Sequence, residues 1–428
     1  MTYHIISLGC FKNQADSETA NSYLVSYGFL PVDSPEEADI IIINTCGFIE
    51  DAKKESISVI LDASDITQGD GYSSNKKLVV AGCLSQRYMC DLKKDIPEVD
   101  FFYGVIDGDF VPAMCEALSL KYLGGSAPKL LRVPLIASPY EYIKIAEGCS
   151  NNCSYCAIPL IRGKHVSYPP EQILTDVRQA IERGAMELII IAQDTAVYNY
   201  GSDNIVTLLR KISAIAENRW IRLLYLHPDH VTDQLLELFN ELPNLVPYIE
   251  IPFQHVASGI VSSMNRKGSV ETYTELLNKI RRIDPRIAIR STFIAGYPGE
   301  TDEQFEELLS FVRESNIDRG GVFIYSPEEN TPAAELDNIP YELKVERYNQ
   351  LSEELESGFL TALERRIGET VPVLVEEQTG EESWIGRSWY DAPEVDGVFF
   401  LTGKGKLLNS IVRASVTECI NFDLVGKI

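Results

Sequence analysis

Three short apolar runs in the first part of the chain are each followed by a cysteine and then by a segment of helical character. The cysteines are Cys10, Cys46 and Cys83. Short continuous apolar runs that alternate with helical segments are typical of strands in a parallel sheet covered on both faces. Because the carboxyl ends of parallel strands meet at one edge of a sheet, the pattern predicts that these thiols lie together. Three inert buried cysteines are the alternative, but their shared topological position favours a metal site.

A second group of cysteines has the spacing C-x-x-x-C-x-x-C and consists of Cys149, Cys153 and Cys156. Thiolates at such intervals can bind one iron–sulfur cube from a single loop. Three protein ligands leave one position open, as reactive metal sites require. A short apolar strand precedes the loop, which places it where α/β folds carry their chemistry. A structural zinc site is the alternative, but no second cysteine pair follows and only His165 is nearby.

The alternation of strand and helix patterns predicts the α/β class with more than one domain. Residues 1–122 are expected to form an N-terminal parallel-sheet domain, and residues 123–134 a linker. Residues 135–367 repeat strand and amphipathic helix, which predicts a TIM-like parallel barrel, complete or partial. Residues 368–428 contain short strands separated by Gly and Asp turns, which predicts a small all-β barrel.

The charge balance of the chain disfavours direct binding to RNA. The net charge is −25 at pH 7, and all three predicted domains are acidic. A nucleic-acid binder concentrates Lys and Arg on one face, because phosphate contacts supply most of its affinity. An acidic chain attracts basic proteins, although acidity taken alone is explained as well by solubility, and a local basic groove is compatible with an acidic total.

The sequence has neither a secretory signal nor a long apolar run. We therefore expect a cytoplasmic protein without a membrane span. In that compartment thiols stay reduced, so grouped cysteines indicate metal binding or catalysis.

These features together resemble the radical S-adenosylmethionine methylthiotransferases over essentially the whole chain. The matching segments are residues 8–17, 44–47, 82–84, 149–156, 252–255 and 293–301. The resemblance implies that Cys149, Cys153 and Cys156 hold a four-iron four-sulfur cluster whose open iron binds S-adenosylmethionine. An electron from that cluster would split the sulfonium and give a 5′-deoxyadenosyl radical.

The same resemblance implies a second four-iron four-sulfur cluster in the N-terminal domain. Its ligands would be Cys10, Cys46 and Cys83, and it would hold or donate the transferred sulfur. A second S-adenosylmethionine would supply the methyl group, and the C-terminal β module is similar to a TRAM domain. An electron donor such as flavodoxin or ferredoxin is implied as a partner.

Two substrates divide this family. The MiaB-type branch modifies an adenosine in transfer RNA, and the RimO-type branch modifies the β-carbon of an aspartate in ribosomal protein S-twelve. Residues 44–56, 192–195 and 386–397 resemble the second branch. The resemblance therefore implies that the partner is this basic ribosomal protein or the small ribosomal subunit. Transfer RNA methylthiolation is the alternative enzyme activity, and a non-enzymatic electron carrier is the alternative class.

The acidic C-terminal module agrees with a basic protein substrate. It carries ten acidic side chains against five basic ones. Opposite charge speeds the encounter of two proteins. We expect the steering residues to include Glu381, Glu382, Asp391, Glu394 and Asp396.

Six further residues are predicted to contact the cofactor, whereas no catalytic side chain is predicted beyond the clusters. They are Tyr155, Gln193, Asp194, Gln254, His255 and Gly296. Gln193 and Asp194 end a barrel strand, although a polar pair there can also cap the next helix. Gly296 and Gly299 allow the backbone to approach a ligand closely, although turns also need glycine. Arg162 and Lys164 are either partners of the cofactor carboxylate or solvated loop charges.

Overall fold

The computed structural model describes residues 1–68, 76–121 and 132–428, which form two compact units. The first unit contains Met1–Ala137, Glu147–Ser150 and Ala157–Val166. The second contains Ser138–Ala146, Asn151–Cys156 and Ser167–Ile428. Residues 123–131 of the predicted linker lie outside the described residues.

The first unit is built on a five-stranded sheet in which every neighbouring pair is parallel. In spatial order the strands are Leu30–Pro31, Thr2–Ser7, Ile40–Thr45, Lys77–Gly82 and Phe101–Phe102. The helices of this unit are Phe11–Ser26, Pro35–Glu37 (3₁₀), Glu50–Gln68, Cys83–Asp95, Phe110–Ala117 and Ile158–Arg162.

The central strand of this sheet explains why its sequence is apolar throughout. Ile40 and Ile42 pack in one core cluster, and Ile41 and Ile43 pack in another. Successive side chains of a strand point to opposite faces, so both faces of the sheet are buried. Polar groups of the central strand are therefore confined to its carboxyl end, at Asn44 and Thr45.

The second unit contains a parallel six-stranded sheet. In spatial order its strands are Arg319–Ile324, Ala288–Ala295, Leu245–Glu250, Trp220–Leu223, Glu187–Ile191 and Tyr140–Lys144. The longer helices are Pro170–Arg183, Ile205–Ala216, Asp233–Glu241, Ser258–Ser263, Val270–Ile283, Asp302–Glu314 and Tyr341–Glu364. Shorter elements are the 3₁₀ turns Thr195–Val197, Pro228–His230 and Ala334–Leu336, and the paired strands Asn199–Tyr200 and Asp203–Asn204. Two further short strands, Ala146–Glu147 and Val166–Ser167, flank the cysteine triplet in sequence.

The C-terminal part of the second unit is a closed five-stranded barrel. Around the barrel its strands are Thr370–Gln378, Ser383–Ser388, Phe399–Thr402, Asp423–Lys427 and Ser410–Ile420. The last strand in the sequence, Asp423–Lys427, completes the closure by pairing with two others. The predicted fold class is confirmed, with a parallel N-terminal sheet, an open parallel sheet for the central part and a small β-barrel.

Within the second unit, the segment from Arg387 to Asp396 joins the barrel to the six-stranded sheet through buried ion pairs. Arg387 forms an ion pair with Glu187 at 2.7 Å, and Glu187 forms a second ion pair with Arg222 at 2.6 Å. Asp391 binds Arg319 over 2.6 Å. Glu187 and Arg319 are the first residues of their strands. The joining segment therefore lies at the amino ends of these strands, opposite the end where parallel sheets carry their active sites.

These contacts correct part of the prediction about steering. The side chains of Asp391 and Asp396 are only 2% and 1% exposed, since Asp396 pairs with Arg290. Glu394 accepts hydrogen bonds from Tyr140 and Tyr142 of the sheet. The prediction that Asp391 and Asp396 steer a basic partner is wrong, because both carboxylates are enclosed within the unit. Glu381 and Glu382 are exposed and remain candidates.

Every helix in the described part of the chain is too short or too polar to cross a lipid bilayer.

Candidate functional site

The three strand-end cysteines of the first unit come together, as the sequence pattern predicts. Their strands are neighbours in the sheet, with Thr2–Ser7 beside Ile40–Thr45 and the latter beside Lys77–Gly82. A side chain added at Gly9 would lie 2.8 Å from the Cys46 sulfur, so the turn before Cys10 packs directly on Cys46. Burial, together with the nearby thiols of Cys10 and Cys46, raises the pKa of Cys83.

Two glycines allow these turns. Gly9 and Gly82 have φ angles of +85° and +97°, in the region that glycine adopts without strain. A Cβ at Gly82 would also lie 2.5 Å from the carbonyl oxygen of Thr45. The backbone therefore reaches Cys83 only because no side chain stands at residue 82.

The three thiols differ in exposure. Cys10 is exposed, whereas Cys46 is 9% and Cys83 is 5% exposed. Burial raises the pKa of Cys46, and it raises the pKa of Cys83 to about 12. Metal ligands must be deprotonated, so metal binding at this site would release protons.

One amide side chain, that of Asn13, contacts the chain beside all three cysteines. It donates 2.9 Å hydrogen bonds to the carbonyl oxygens of Leu8 and Thr45, and its oxygen lies 3.5 Å from the Cys83 sulfur. Asn13 is completely buried. Sequence reasoning missed this role, although Asn13 stands in the first matching segment. Its position in the first turn of helix Phe11–Ser26, directly after Cys10, was the available signal.

The structure argues against both alternatives considered for Arg162. Its guanidinium lies 2.9 Å from Asp16 and 3.1 Å from Glu147, all within the first unit, and the side chain is 1% exposed. It is therefore neither a solvated loop charge nor placed to receive the carboxylate of a free cofactor.

The triplet loop begins in the first unit with Cys149. Its backbone N–H donates to the carbonyl oxygen of Gly163 over 3.0 Å. Gly148 has a φ angle of +71°, and a Cβ there would collide with the backbone of Lys164. The backbone of residues 163–164 thus fixes the start of the loop.

Residues Asn151–Cys156 of the loop belong to the second unit. The N–H of Cys156 donates to the carbonyl oxygen of Cys153 over 3.0 Å, which forms a tight turn between the two cysteines. Ser154 donates its N–H to the carbonyl oxygen of Met264 over 3.1 Å, and its hydroxyl lies 2.8 Å from that of Tyr297. These contacts hold the turn on the end of helix Ser258–Ser263.

Tyr155 projects from this turn onto Arg266, a residue that sequence reasoning missed. Arg266 donates to the Tyr155 hydroxyl over 3.0 Å and to the carbonyl oxygen of Pro252 over 2.7 Å. Burial raises the pKa of the Cys153 thiol, and the Arg266 charge acts in the opposite direction. The arginine thus favours the thiolate form that a metal needs.

Asp194 lies at the centre of a polar cluster at the carboxyl end of strand Glu187–Ile191. Its carboxylate accepts a 2.8 Å hydrogen bond from Asn151, which stands inside the cysteine loop, and lies 2.7 Å from Nδ1 of His230. It also caps the turn Thr195–Val197 by accepting from Ala196 over 3.2 Å. The cap considered for Asp194 is therefore present, and contact of Asp194 with a cofactor or substrate stays a prediction. Gln193 is half-buried directly before it.

The charges of this cluster are set by its hydrogen bonds. The Asp194 hydrogen bond raises the pKa of His230. Burial would raise the pKa of Asp194, but bonds from His230 and Asn151 hold it below its ordinary value. Burial and Arg266 lower the pKa of His227 to about 3. His230 is the member that carries a proton most readily, and neither histidine was predicted; their place after strand Trp220–Leu223 was the available signal.

Gln254 and His255 follow the neighbouring strand Leu245–Glu250. Gln254 has a φ of +70° and its N–H donates to Thr292 over 2.8 Å. His255 is fully buried, and its Nδ1 accepts the N–H of Ala257 over 3.1 Å. The buried His255 imidazole therefore supports the turn. Contact of Gln254 or His255 with a ligand stays a prediction.

Gly296 begins a turn that Glu300 closes. Glu300 accepts the N–H of Gly296 over 2.8 Å and the N–H of Tyr297 over 3.1 Å. A Cβ at Gly296 would collide with the side chain of Lys344, whereas Gly299 faces open space. Packing against Lys344 thus accounts for glycine at this position, and a cofactor contact there stays a prediction.

In the described part of the chain, no three His, Cys, Asp or Glu side chains are arranged to hold a single metal ion. A four-iron cube spreads its thiolates more widely than one ion does. The donor sets themselves suit such a cube, because each consists of three thiols without a carboxylate ligand.

Family models match three successive parts of the chain. Residues 2–104 match the uncharacterized protein family UPF0004, residues 143–312 match the radical SAM superfamily, and residues 367–428 match the TRAM domain.

Curated relatives match the chain over its full length. A protein of Carboxydothermus hydrogenoformans is 40% identical over 446 residues, which covers 100% of this chain and 99% of the relative. One from Caldicellulosiruptor saccharolyticus is also 40% identical, over 99% of this chain and 98% of its own length. One from Desulfitobacterium hafniense is 38% identical, with the same coverage. All three are named ribosomal protein uS12 methylthiotransferase RimO.

Solved structures share the fold at low sequence identity. The radical S-adenosylmethionine methyltransferase TsrM from Kitasatospora setae, with cobalamin and a 4Fe-4S cluster bound, is 12% identical with a TM-score of 0.59. The match covers 78% of this chain and 73% of TsrM. The cobalamin-dependent radical enzyme OxsB has a TM-score of 0.52 at 12% identity, over 83% of this chain and 56% of OxsB.

Proposed function

The chain belongs to the RimO family of ribosomal protein uS12 methylthiotransferases, and on this premise we propose that it adds a methylthio group to the β-carbon of an aspartate in uS12. The chain is a radical S-adenosylmethionine enzyme. The observation that carries the proposal is the presence of a second set of three thiols, at the ends of adjacent strands, besides the triplet loop. A transfer of sulfur needs a site that holds sulfur as well as one that starts the radical reaction.

We assign one four-iron four-sulfur cluster to each cysteine set. Cys149, Cys153 and Cys156 would hold the cluster that binds S-adenosylmethionine, and Cys10, Cys46 and Cys83 would hold the auxiliary cluster. When bound, these groups supply the radical chemistry and the transferable sulfur. The donor sets support the assignment, and iron analysis should find two four-iron clusters in each reconstituted chain.

The chain's own residues shape the radical site. Asn151 and Asp194 tie the cysteine loop to the end of strand Glu187–Ile191. Arg266 holds Tyr155 and the Pro252 carbonyl, so the loop and the end of strand Leu245–Glu250 keep a fixed spacing. Such preorganisation restricts how a bound cofactor can be oriented, which is the main contribution a protein makes to cofactor chemistry.

His230 is suited to handle a proton or to pair with an anionic group at this site. Its side chain is 34% exposed, and its contact with Asp194 raises its pKa. The substrate group, an aspartate side chain, is anionic at neutral pH. A partly exposed histidine with a raised pKa beside the loop would favour its approach.

The charge of the chain supports a basic protein as the substrate. The net charge of −25 repels the phosphates of RNA at long range. The exposed Glu381 and Glu382 are available to attract a basic protein, whereas Asp391 and Asp396 are not. A ribosomal substrate and a reducing donor such as flavodoxin or ferredoxin would place the reaction in the cytoplasm.

The test compares the two possible substrates directly. Reconstituted enzyme, S-adenosylmethionine and reductant are incubated with equal amounts of isolated uS12 and transfer RNA, and both products are analysed by mass spectrometry. We expect the methylthio group on one aspartate of uS12. Product on the RNA alone would overturn the proposal in favour of transfer RNA modification, and failure to cleave S-adenosylmethionine would favour an electron carrier.

A further inference from the structure

A single buried arginine connects the strand-end cysteines of the first unit to two carboxylates. Arg162 lies on the short helix Ile158–Arg162, whose residues all belong to this unit. Its Nη1 faces Asp16 at 2.9 Å and Glu147 at 3.1 Å. Its Nη2 lies 2.5 Å from the Asn13 amide oxygen and 3.5 Å from the Cys83 sulfur. One edge of the guanidinium therefore binds the carboxylates, and the other is directed at the cysteine site.

An ion pair that only stabilises the fold would not need a guanidinium whose second edge faces the cysteine site. Burying a charge costs several kcal/mol unless it is paired, and the two carboxylates already pair this one. The second edge nevertheless turns toward a neutral amide and a sulfur atom. Asn13 is the residue that contacts the backbone beside Cys10 and Cys46, so Arg162 also holds the side chain that organises the whole site.

We propose that Arg162 is a positioning residue for the auxiliary site, which directs Asn13 and donates a hydrogen bond to the sulfur of Cys83. The proposal rests on the function proposed above, since that function places the auxiliary cluster at these cysteines. The guanidinium is suited to the task because it is planar, always charged and able to serve several acceptors at fixed angles. Asp16 and Glu147 keep it in one orientation.

The sulfur contact has a consequence for electron transfer at this site. Hydrogen bonds to cluster sulfurs and nearby positive charge favour the reduced state, because reduction adds negative charge. Loss of Arg162 removes the bond and leaves Asp16 and Glu147 without their buried cation. Both changes disfavour the negative charge that reduction adds, so the midpoint potential of the auxiliary cluster should shift to more negative values.

The first experiment isolates the auxiliary cluster by replacing Cys149, Cys153 and Cys156 with alanine. In this background, Arg162→Gln should shift the midpoint potential to more negative values in an electron paramagnetic resonance titration. The midpoint potential of Arg162→Lys should fall between that of the chain with Arg162 intact and that of Arg162→Gln. Lysine keeps the charge but cannot bind Asn13, Cys83 and two carboxylates at once. An unchanged potential in the glutamine variant would overturn the proposal.

A matched control comes from a second buried arginine of the same unit. Arg132 is 4% exposed and pairs with Glu18 over 3.5 Å. Glu18 stands eight residues after Cys10, which places it about 12 Å further along the helix. Arg132→Gln should leave the potential unchanged. An equal shift in both variants would show a general effect of lost buried charge and would overturn a specific role for Arg162.

The second experiment needs no cluster and separates this proposal from the proposed function. In metal-free chain, alkylation of Cys83 by iodoacetamide is followed by peptide mass spectrometry, with the buried Cys115 as reference. Arg162→Gln should slow alkylation of Cys83 several-fold, because its thiolate loses a partner, and should leave Cys115 unchanged. An equal or faster rate at Cys83 would show that Arg162 only packs the site. Absence of iron in the triplet-alanine chain with Arg162 intact would instead overturn the cluster assignment.

Discussion

Arg387 of the C-terminal barrel donates a 2.7 Å hydrogen bond to Glu187 of the six-stranded sheet, and the two side chains are only 2% and 0% exposed. Glu187 also binds Arg222, whose guanidinium donates to the carbonyl oxygen of Trp389. The barrel is therefore joined to the sheet by charges that cannot be separated without leaving one of them buried and unpaired.

Replacing Glu187 with glutamine should destabilise the second unit strongly. Breaking a buried ion pair by removal of one partner costs about 3–5 kcal/mol. All three tryptophans, Trp220, Trp384 and Trp389, belong to this unit, so the urea midpoint read by tryptophan fluorescence reports on it directly. The control is Glu354→Gln, which breaks a surface pair with Arg313 and should change the urea midpoint much less. Equal midpoints for the two variants would contradict this account of the junction.

Asp194→Asn should lower the pKa of His230 and weaken the cysteine loop. The folded pKa of His230 lies above its unfolded value of about 6.5. Its pairing therefore stabilises the fold fully below that pH, and the contribution is lost as pH rises through the folded pKa. The His230 titration followed by NMR should move to lower pH in the variant. Because a hydrogen bond to a charged group contributes about 1.5–3 kcal/mol, S-adenosylmethionine cleavage should fall about tenfold or more.

The matched control for this variant is Asp233→Asn. Asp233 pairs with Lys279 on the surface of the same unit and its side chain is 70% exposed. This change should leave both the His230 titration and cofactor cleavage unaltered. Cleavage by Asp194→Asn at the native rate would show that the Asn151 contact does not orient the loop.

The two glycines of the turn after strand Ala288–Ala295 allow a test of the packing role of Gly296. Gly296 and Gly299 have φ angles of +75° and +79°, so alanine at either residue carries a similar conformational cost. Only Gly296 faces the side chain of Lys344. Gly296→Ala should therefore be more destabilising than Gly299→Ala by about 1–3 kcal/mol, the usual cost of overpacking. Equal stabilities in urea unfolding would refute the packing explanation.

Charge reversal on the barrel surface should slow the encounter with uS12 without changing the chemistry. Glu381 and Glu382 are exposed at the turn between strands Thr370–Gln378 and Ser383–Ser388. Their replacement by lysine should lower the association rate, and the difference from the native chain should disappear at high salt, where the screening length falls to about 3 Å. Stopped-flow binding at low and high salt measures the association rate of both chains with uS12. A native association rate at low salt would exclude these residues from steering.

Local pattern predicted the fold class and the cysteine sets because both depend on neighbours in sequence. Apolar runs mark strands, and a cysteine at the end of each run lies at a known edge of the sheet. The partners of buried charges follow a different rule. Arg162 and Asn13 are 149 residues apart, and Arg387 and Glu187 are 200 apart. No periodicity encodes such pairs, so the Asp391 and Asp396 carboxylates were wrongly assigned to the surface.

The residues of the candidate site also differ in whether neighbouring sequence or distant contacts determine their roles. Asp194 could be selected from sequence because it stands three residues after strand Glu187–Ile191. The roles of His230 and Arg266 depend on where the loops after other strands turn. Glycine at residue 296 could be read from sequence as a ligand approach or as a turn. Only the position of Lys344 distinguishes these alternatives.

The central claim is that the two cysteine sets have separate tasks, and one triple variant tests it most directly. Cys10, Cys46 and Cys83 are replaced with alanine, and the reconstituted protein is incubated with S-adenosylmethionine, reductant and uS12. Chromatography measures 5′-deoxyadenosine, and mass spectrometry of uS12 measures the methylthio group. The account predicts that the variant still forms 5′-deoxyadenosine and leaves uS12 unmodified. Methylthiolated uS12 at the native level would contradict it and would show that the three strand-end cysteines are ordinary thiols.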